Sequence, residues 1–323
     1  MSPSAYRPIF RMAIVILFTG GLAIAHAATT TAGLSGSIRV RHPQATNQSA
    51  AVFLPLVAGP ALPLSGGLIV FEDTGNGGEN DLYLITTDGH RRYPLTDTPE
   101  SEYEADWSPD GRQVAFIRYA RLFARSIVSG DEIDIETENF PAYGQLAWSP
   151  DGQRIAFDTF GIGGNDIAVT LVRGGATRYI VNRPKIGDSA LSWAPNSTRF
   201  VFGNEFGELI IANIQGTVNE ELTGVEEPAF NPDWSRDGRL ILYQRRTSAE
   251  FDPDYQSDLY LIPAEGGQST LLVRDGRDGS WSPDGRQIVF GRKGGGIYRI
   301  NADGSGLMLL DGSPTALRPV WRP

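Results

Sequence analysis

Trp107-Ser108-Pro109-Asp110-Gly111-Arg112-Gln113-Val114-Ala115-Phe116 decides the fold, because the chain keeps returning to it. Trp148 to Phe157 reads W-S-P-D-G-Q-R-I-A-F, and Trp193 to Phe202 reads W-A-P-N-S-T-R-F-V-F. Trp234 to Tyr243 reads W-S-R-D-G-R-L-I-L-Y, and Trp281 to Phe290 reads W-S-P-D-G-R-Q-I-V-F. Trp321-Arg322-Pro323 begins a further copy, while Gly66-Gly67-Leu68-Ile69-Val70-Phe71 is the back half of one. The tryptophans lie 41, 45, 41, 47 and 40 residues apart, and these six are all the chain has. Such a period marks a stacked supersecondary unit.

Each unit reads as four strands. The tryptophan ends the first. Ser-Pro-Asp-Gly is a tight turn in which proline pre-sets φ and glycine takes the strained position. The apolar run up to the phenylalanine is the second strand. A third often follows an acid, as in Asp81-Leu82-Tyr83-Leu84, Asp166-Ile167-Ala168-Val169, Glu208-Leu209-Ile210-Ile211 and Asp258-Leu259-Tyr260-Leu261. Turns such as Asp88-Gly89 and Asp303-Gly304 lead to a fourth. Four strands in this span make a propeller blade. Residues 66–323 divide into six units of 43. The expectation is an all-β, six-bladed β-propeller whose first blade borrows the strand ending at Trp321, which closes the ring without a broken edge.

The W-S-P-D-G-x-x-I-A-F unit, followed by an acid and an Ile/Leu-Tyr strand, resembles the propeller repeats of the TolB family. The same type of repeat builds dipeptidyl-peptidase and tricorn propellers. The resemblance covers roughly residues 66–323 and implies a binding or scaffold module whose partner is a protein or extended peptide. One tryptophan per blade at a fixed turn position reads as core between blades: Trp107, Trp148, Trp193, Trp234, Trp281 and Trp321 are structural.

Composition narrows the chemistry. A formal charge of −10 argues against nucleic-acid binding. With no cysteine there is no disulfide, thiolate metal site or cysteine nucleophile. Of three histidines, His26 and His42 precede the repeats and His90 sits in a turn, which leaves no multi-histidine metal site. No G-x-S-x-G elbow or phosphate-binding loop stands in context.

At the N-terminus Arg7 and Arg11 precede the apolar run Met12–Ala25, and Ala25-His26-Ala27 fits a signal-peptidase site. Residues 1–27 are therefore expected to be a signal peptide, 28–65 a linker or extended segment, and the protein an exported monomer, periplasmic or extracellular, with no membrane span after cleavage.

Five stretches, 72–81, 97–106, 131–138, 226–233 and 250–258, hold 21 of the 38 acids and no Lys or Arg. Four of them fall in connections that open on one face of a propeller, predicting an acidic face opposite a face of regular Asp-Gly turns. Glu102, Glu104 and Asp106 alternate before Trp107, so an extended strand would crowd three carboxylates on one side. A hard cation such as Ca²⁺ would relieve the repulsion, or Arg318 from the neighbouring blade would. Glu102, Glu104, Asp106, Asn231, Asp278 and Arg318, all entering the first strands of their blades, are the candidate ligand-binding residues. The expected function is non-catalytic recognition of a protein or peptide at the acidic face or channel mouth. The alternatives are a calcium-dependent lactonase or esterase propeller and the accessory propeller of a peptidase system. No other cofactor is expected.

Overall fold

The repeated turn forms the same way in four copies because one serine and one aspartate saturate it. In the first, Ser108 Oγ donates to Asp110 Oδ1 at 2.6 Å, and Oδ1 also accepts from Arg112 N. Ser108 Oγ accepts from Gln113 N, and Gly111 turns the chain at φ 64°. Ser149/Asp151, Ser235/Asp237 and Ser282/Asp284 repeat the pattern. In the Trp193 copy Ala194 replaces the serine, so only Asn196 Oδ1 accepting from Thr198 N is kept, with Ser197 at φ 57°.

The computed structural model describes residues 67–323 apart from 76–77, 162–163, 187–189, 205, 223–227 and 248–255. The expected signal peptide and linker lie outside the described residues. Among those described, every strand belongs to one of six four-stranded antiparallel sheets, and no helix is long and apolar enough to cross a membrane.

Each sheet is a blade, and its first strand is innermost. These inner strands are Leu317–Trp321, Tyr103–Trp107, Leu146–Trp148, Leu191–Trp193, Ala229–Trp234 and Gly276–Trp281, for blades one to six. Neighbouring inner strands touch all the way round, including Leu317–Trp321 against both Gly276–Trp281 and Tyr103–Trp107. The closure is as expected: Leu317–Trp321 pairs antiparallel with Leu68–Asp73, placing Trp321 opposite Ile69.

The core is not one mass but six, one at each blade junction. Leu68, Val70, Leu82 and Leu84 of blade one pack with Trp107, Val114 and Phe116 of blade two, and equivalent clusters fill the other five junctions. All six tryptophans are buried at these junctions, as expected. Four anchor through the indole N–H: Trp107 to Val320 O, Trp193 to Ala147 O, Trp281 to Asp233 O and Trp234 to Gly238 O.

Candidate functional site

The inner strands of four blades are bent at one position. Glu104, Asn231, Asp278 and Arg318 each stand three residues before a tryptophan, and each adopts a left-handed backbone, with φ of 56°, 47°, 52° and 46°. The strand register breaks at each of these bends. None of the four is a glycine, so the backbone carries a cost of roughly 1 kcal/mol apiece. The bulge re-aims the chain, and all four residues line the central channel, along with Gln145 of blade three.

This bend decides the fate of the three carboxylates ahead of Trp107. A bulge destroys the strict alternation that would have put them on one side, so the expected row does not form. Glu102 is fully buried and faces outward along its blade, with Oε1 accepting from Thr98 Oγ1 at 2.6 Å and 3.3 Å from Arg118. Glu104 lies 3.1 Å from Arg318 Nε, and its backbone N donates to Glu72 Oε1. Asp106 accepts from Trp107 N and, across the junction, from Trp148 N at 2.6 Å. No group of three acidic or histidine side chains suited to a metal occurs among the described residues. Arg318 offsets the charge of Glu104, and Arg118 that of Glu102.

Two polar networks result. On one side Arg318 joins Glu72, 3.1 Å away, and Glu104, and Asn80 Nδ2 also donates to Glu72. On the other, Asn231 Nδ2 donates to Asp278 Oδ1 at 2.6 Å and Gln145 Nε2 donates to Asn231 Oδ1. Asp278 N donates to Gln244 Oε1 just as Glu104 N donates to Glu72, so blades five and six repeat the junction of blades one and two. The structure thus brings five of the six candidates to the channel and leaves Glu102 out.

Burial pushes the channel carboxylates up. Glu104 rises to about 8 because desolvation, helped by Glu72 and Asp278, outweighs Arg318. Asp106 rises to about 7, burial outweighing the N–H groups of Trp148 and Trp107. Asp233 rises to about 6 by burial against the N–H of Trp281. Burial opposes the charge on Arg318, but Glu104 and Glu72 overcome it and hold its pKa above the ordinary value.

The channel opens at both ends. At the turn end a cavity of about 370 Å³ is ringed by the six tryptophans, with Asp106, Asp233 and the exposed Arg236. At the loop end a cavity of about 490 Å³ holds the left-handed residues together with Tyr143, Asp158, Phe160 and Arg277. Asp233 and Glu72 were not among the expected site residues. Asp233 was findable, since it stands directly before Trp234 as Asp106 stands before Trp107. Glu72 carried no such signal.

Several acids of the acidic stretches are neutralised by ion pairs. Asp73 pairs with Arg92 at 2.6 Å, Glu132 with Arg118, Asp134 with Arg121, and Asp258 lies 3.6 Å from Arg274. The partners come from neighbouring strands and turns that the acidic stretches do not include.

Among solved structures, TolB from Acinetobacter baumannii superposes with a TM-score of 0.69 at 18% identity, covering 80% of this chain and 67% of that one. The fold is a TolB-like six-bladed propeller. A chain of a nidogen/laminin complex matches with a TM-score of 0.62 at 9% identity, over 80% of this chain and 99% of that one. An oligogalacturonate lyase in complex with manganese matches at 0.51 and 12% identity, over 75% and 73%. No protein-family model and no curated protein matches the chain. At these identities the TolB-like propeller is shared as a fold, and folds of this kind host unrelated functions.

Proposed function

We propose that this TolB-like propeller is an exported, non-catalytic binding module that takes a protein or peptide at the loop-end mouth of its channel. The observation that carries the reading is the set of four polar residues, Glu104, Asn231, Asp278 and Arg318, held left-handed at equivalent bends. A scaffold alone has no use for this strain, since glycine at each position would remove it. Strain kept by polar side chains lining an open cavity supports a recognition role. The signal-like N-terminus, Arg7 to Ala27, supports export. The calcium-enzyme alternative has less support, because both Asp106 oxygens accept from backbone N–H groups and Glu104 faces Arg318.

The test is affinity capture from an envelope extract with wild-type protein and with Glu104→Gln/Asp278→Asn, partners being identified by mass spectrometry. A partner held by the wild type and lost by an equally stable double variant supports the reading. Identical capture by both overturns it.

A further inference from the structure

Blade three departs from the four bent blades at the loop-end mouth. Its inner strand has no left-handed bend; instead Gln145 N donates to Asp158 Oδ2 at 3.1 Å, Asp158 N donates to Gln145 O and Tyr143 N donates to Asp158 O, so the segment ahead of Leu146 stays tied to the second strand. Gly144 permits this, since a Cβ there would lie 2.4 Å from Asp158 Oδ2. These bonds hold Tyr143 at the lip of the cavity. There it meets Phe160, with ring centroids 4.8 Å apart and planes tilted by 56°. Both rings stay more than half exposed, at 57% and 54%. The repeat does not require an aromatic here: the position five before the tryptophan is Glu102, Ala229, Gly276 or Ala316 in other blades.

The floor beneath these rings is built to hydrogen-bond. Thr159, 1% exposed, lines the cavity, and its Oγ1 has no partner among the described residues. The buried Arg277 Nε on the opposite wall likewise has none. Buried donors and acceptors left open are costly, and a ligand or water must complete them. The formal charges lining this cavity are equal in number: three carboxylates, Glu104, Asp158 and Asp278, face three guanidiniums, Arg246, Arg277 and Arg318, with Glu104, raised to about 8, mostly protonated at neutral pH. A remainder of no more than one net charge gives only weak attraction to an ion, whereas carboxylate, guanidinium and amide groups set side by side match the alternating donors and acceptors of vicinal hydroxyls. Each exposed ring offers a flat apolar face to the C–H side of a sugar, and the 56° tilt between the two makes a cleft rather than one plane.

From this combination we infer that the blade-three corner of the loop-end mouth binds an uncharged saccharide. One sugar ring stacks on one of the two aromatics and meets the other at its edge, while its hydroxyls reach Thr159 and the neighbouring charged and amide groups. The volume of about 490 Å³ lies in the range of small-ligand pockets. The inference goes beyond the protein-partner reading and does not rest on it: saccharide binding and partner capture are read in separate experiments.

Saturation-transfer NMR and calorimetry on the purified protein test it, with cellobiose, maltose and N,N′-diacetylchitobiose as neutral probes and digalacturonic acid as the charged counterpart. The expected result is saturable binding of at least one neutral disaccharide, with a dissociation constant on the order of 1 mM or tighter. Tyr143→Ala and Phe160→Ala each weaken it by about tenfold. Tyr143→Phe, which keeps the ring, retains it, and Thr159→Val weakens it. The two aromatics are exposed, so their truncation leaves the melting temperature near the wild-type value. Failure of all three neutral probes to bind at about 20 mM overturns the proposal, far above the affinity expected. So does binding indifferent to both aromatic truncations, or a preference for digalacturonate.

Discussion

The two ends of the channel are made from the same inner strands and obey different rules. At the turn end the copies agree: serine to aspartate, glycine left-handed, tryptophan into the junction, four times in nearly identical geometry. At the loop end, only a few residues away along each strand, they diverge into Glu104, Gln145, Asn231, Asp278 and Arg318. The turn end must repeat because every junction has the same gap to fill. The loop end is released from that constraint and can carry a site. Repetition marks the scaffold, and departure from it marks recognition.

The strongest way to break this contrast is to truncate a turn-end tryptophan. Trp193 is buried between blades three and four, bonds Ala147 O and meets Phe200 edge-on at 5.8 Å. Trp193→Ala is expected to cost about 3–5 kcal/mol in urea unfolding. A loss under about 1 kcal/mol would show that the junctions do not carry the stability.

Arg318→Ala probes the loop end next. It leaves the buried Glu72 and Glu104 without their cation, but the guanidinium itself is 41% exposed. The expected cost, discounted for solvent, is about 1–3 kcal/mol. It should be larger at about pH 8 than at about pH 5, where Glu104 is already protonated. A pH-independent cost would mean that Glu104 does not feel Arg318.

The carboxylates themselves sharpen the comparison. Glu104, Asp106 and Asp233 are all raised, so between about pH 4 and 8 the folded state binds more protons than the unfolded state. Stability must then fall as pH rises through that window. Groups with lowered values, such as Asp73 and Asp110, act in the opposite sense at lower pH. Melting curves should show the decline, and Asp106→Asn should remove about 1–2 kcal/mol of it. A flat wild-type profile across the window would refute the assignment.

The smallest effect concerns an ordinary loop-end hairpin. Tyr119 and Ala120 turn the chain between Arg118 and Arg121 with φ of 54° and 59°. Ala120→Gly relieves strain that serves no cavity and should stabilise by about 0.5–1 kcal/mol. Destabilisation would show that positive φ at this end is not a cost, and would weaken the argument from Glu104 and its equivalents.

Much of this architecture was legible in the chain. Trp107-Ser108-Pro109-Asp110-Gly111 encodes its own turn through contacts within six residues, so reading it needs no knowledge of distant neighbours. Copy number, blade order and ring closure follow from counting such local units. Five of the six candidate residues could be placed in the channel because they share one offset region before a tryptophan. Their partners could not. Glu72 and Arg318 are 246 residues apart and meet only because the ring closes. Asp73 and Thr315 meet for the same reason.

The sequence by itself determined a six-bladed propeller, the tryptophan junctions and the end of the channel where variation collects, since each follows from short-range turn chemistry and periodicity. Only the tertiary structure decided which acids of the acidic stretches find a cation, that Glu102 leaves the channel while Asp233 enters it, and that Tyr143 meets Phe160. Side-chain direction past a bulge, and charge balance across a closed ring, depend on neighbours that no local stretch of chain contains.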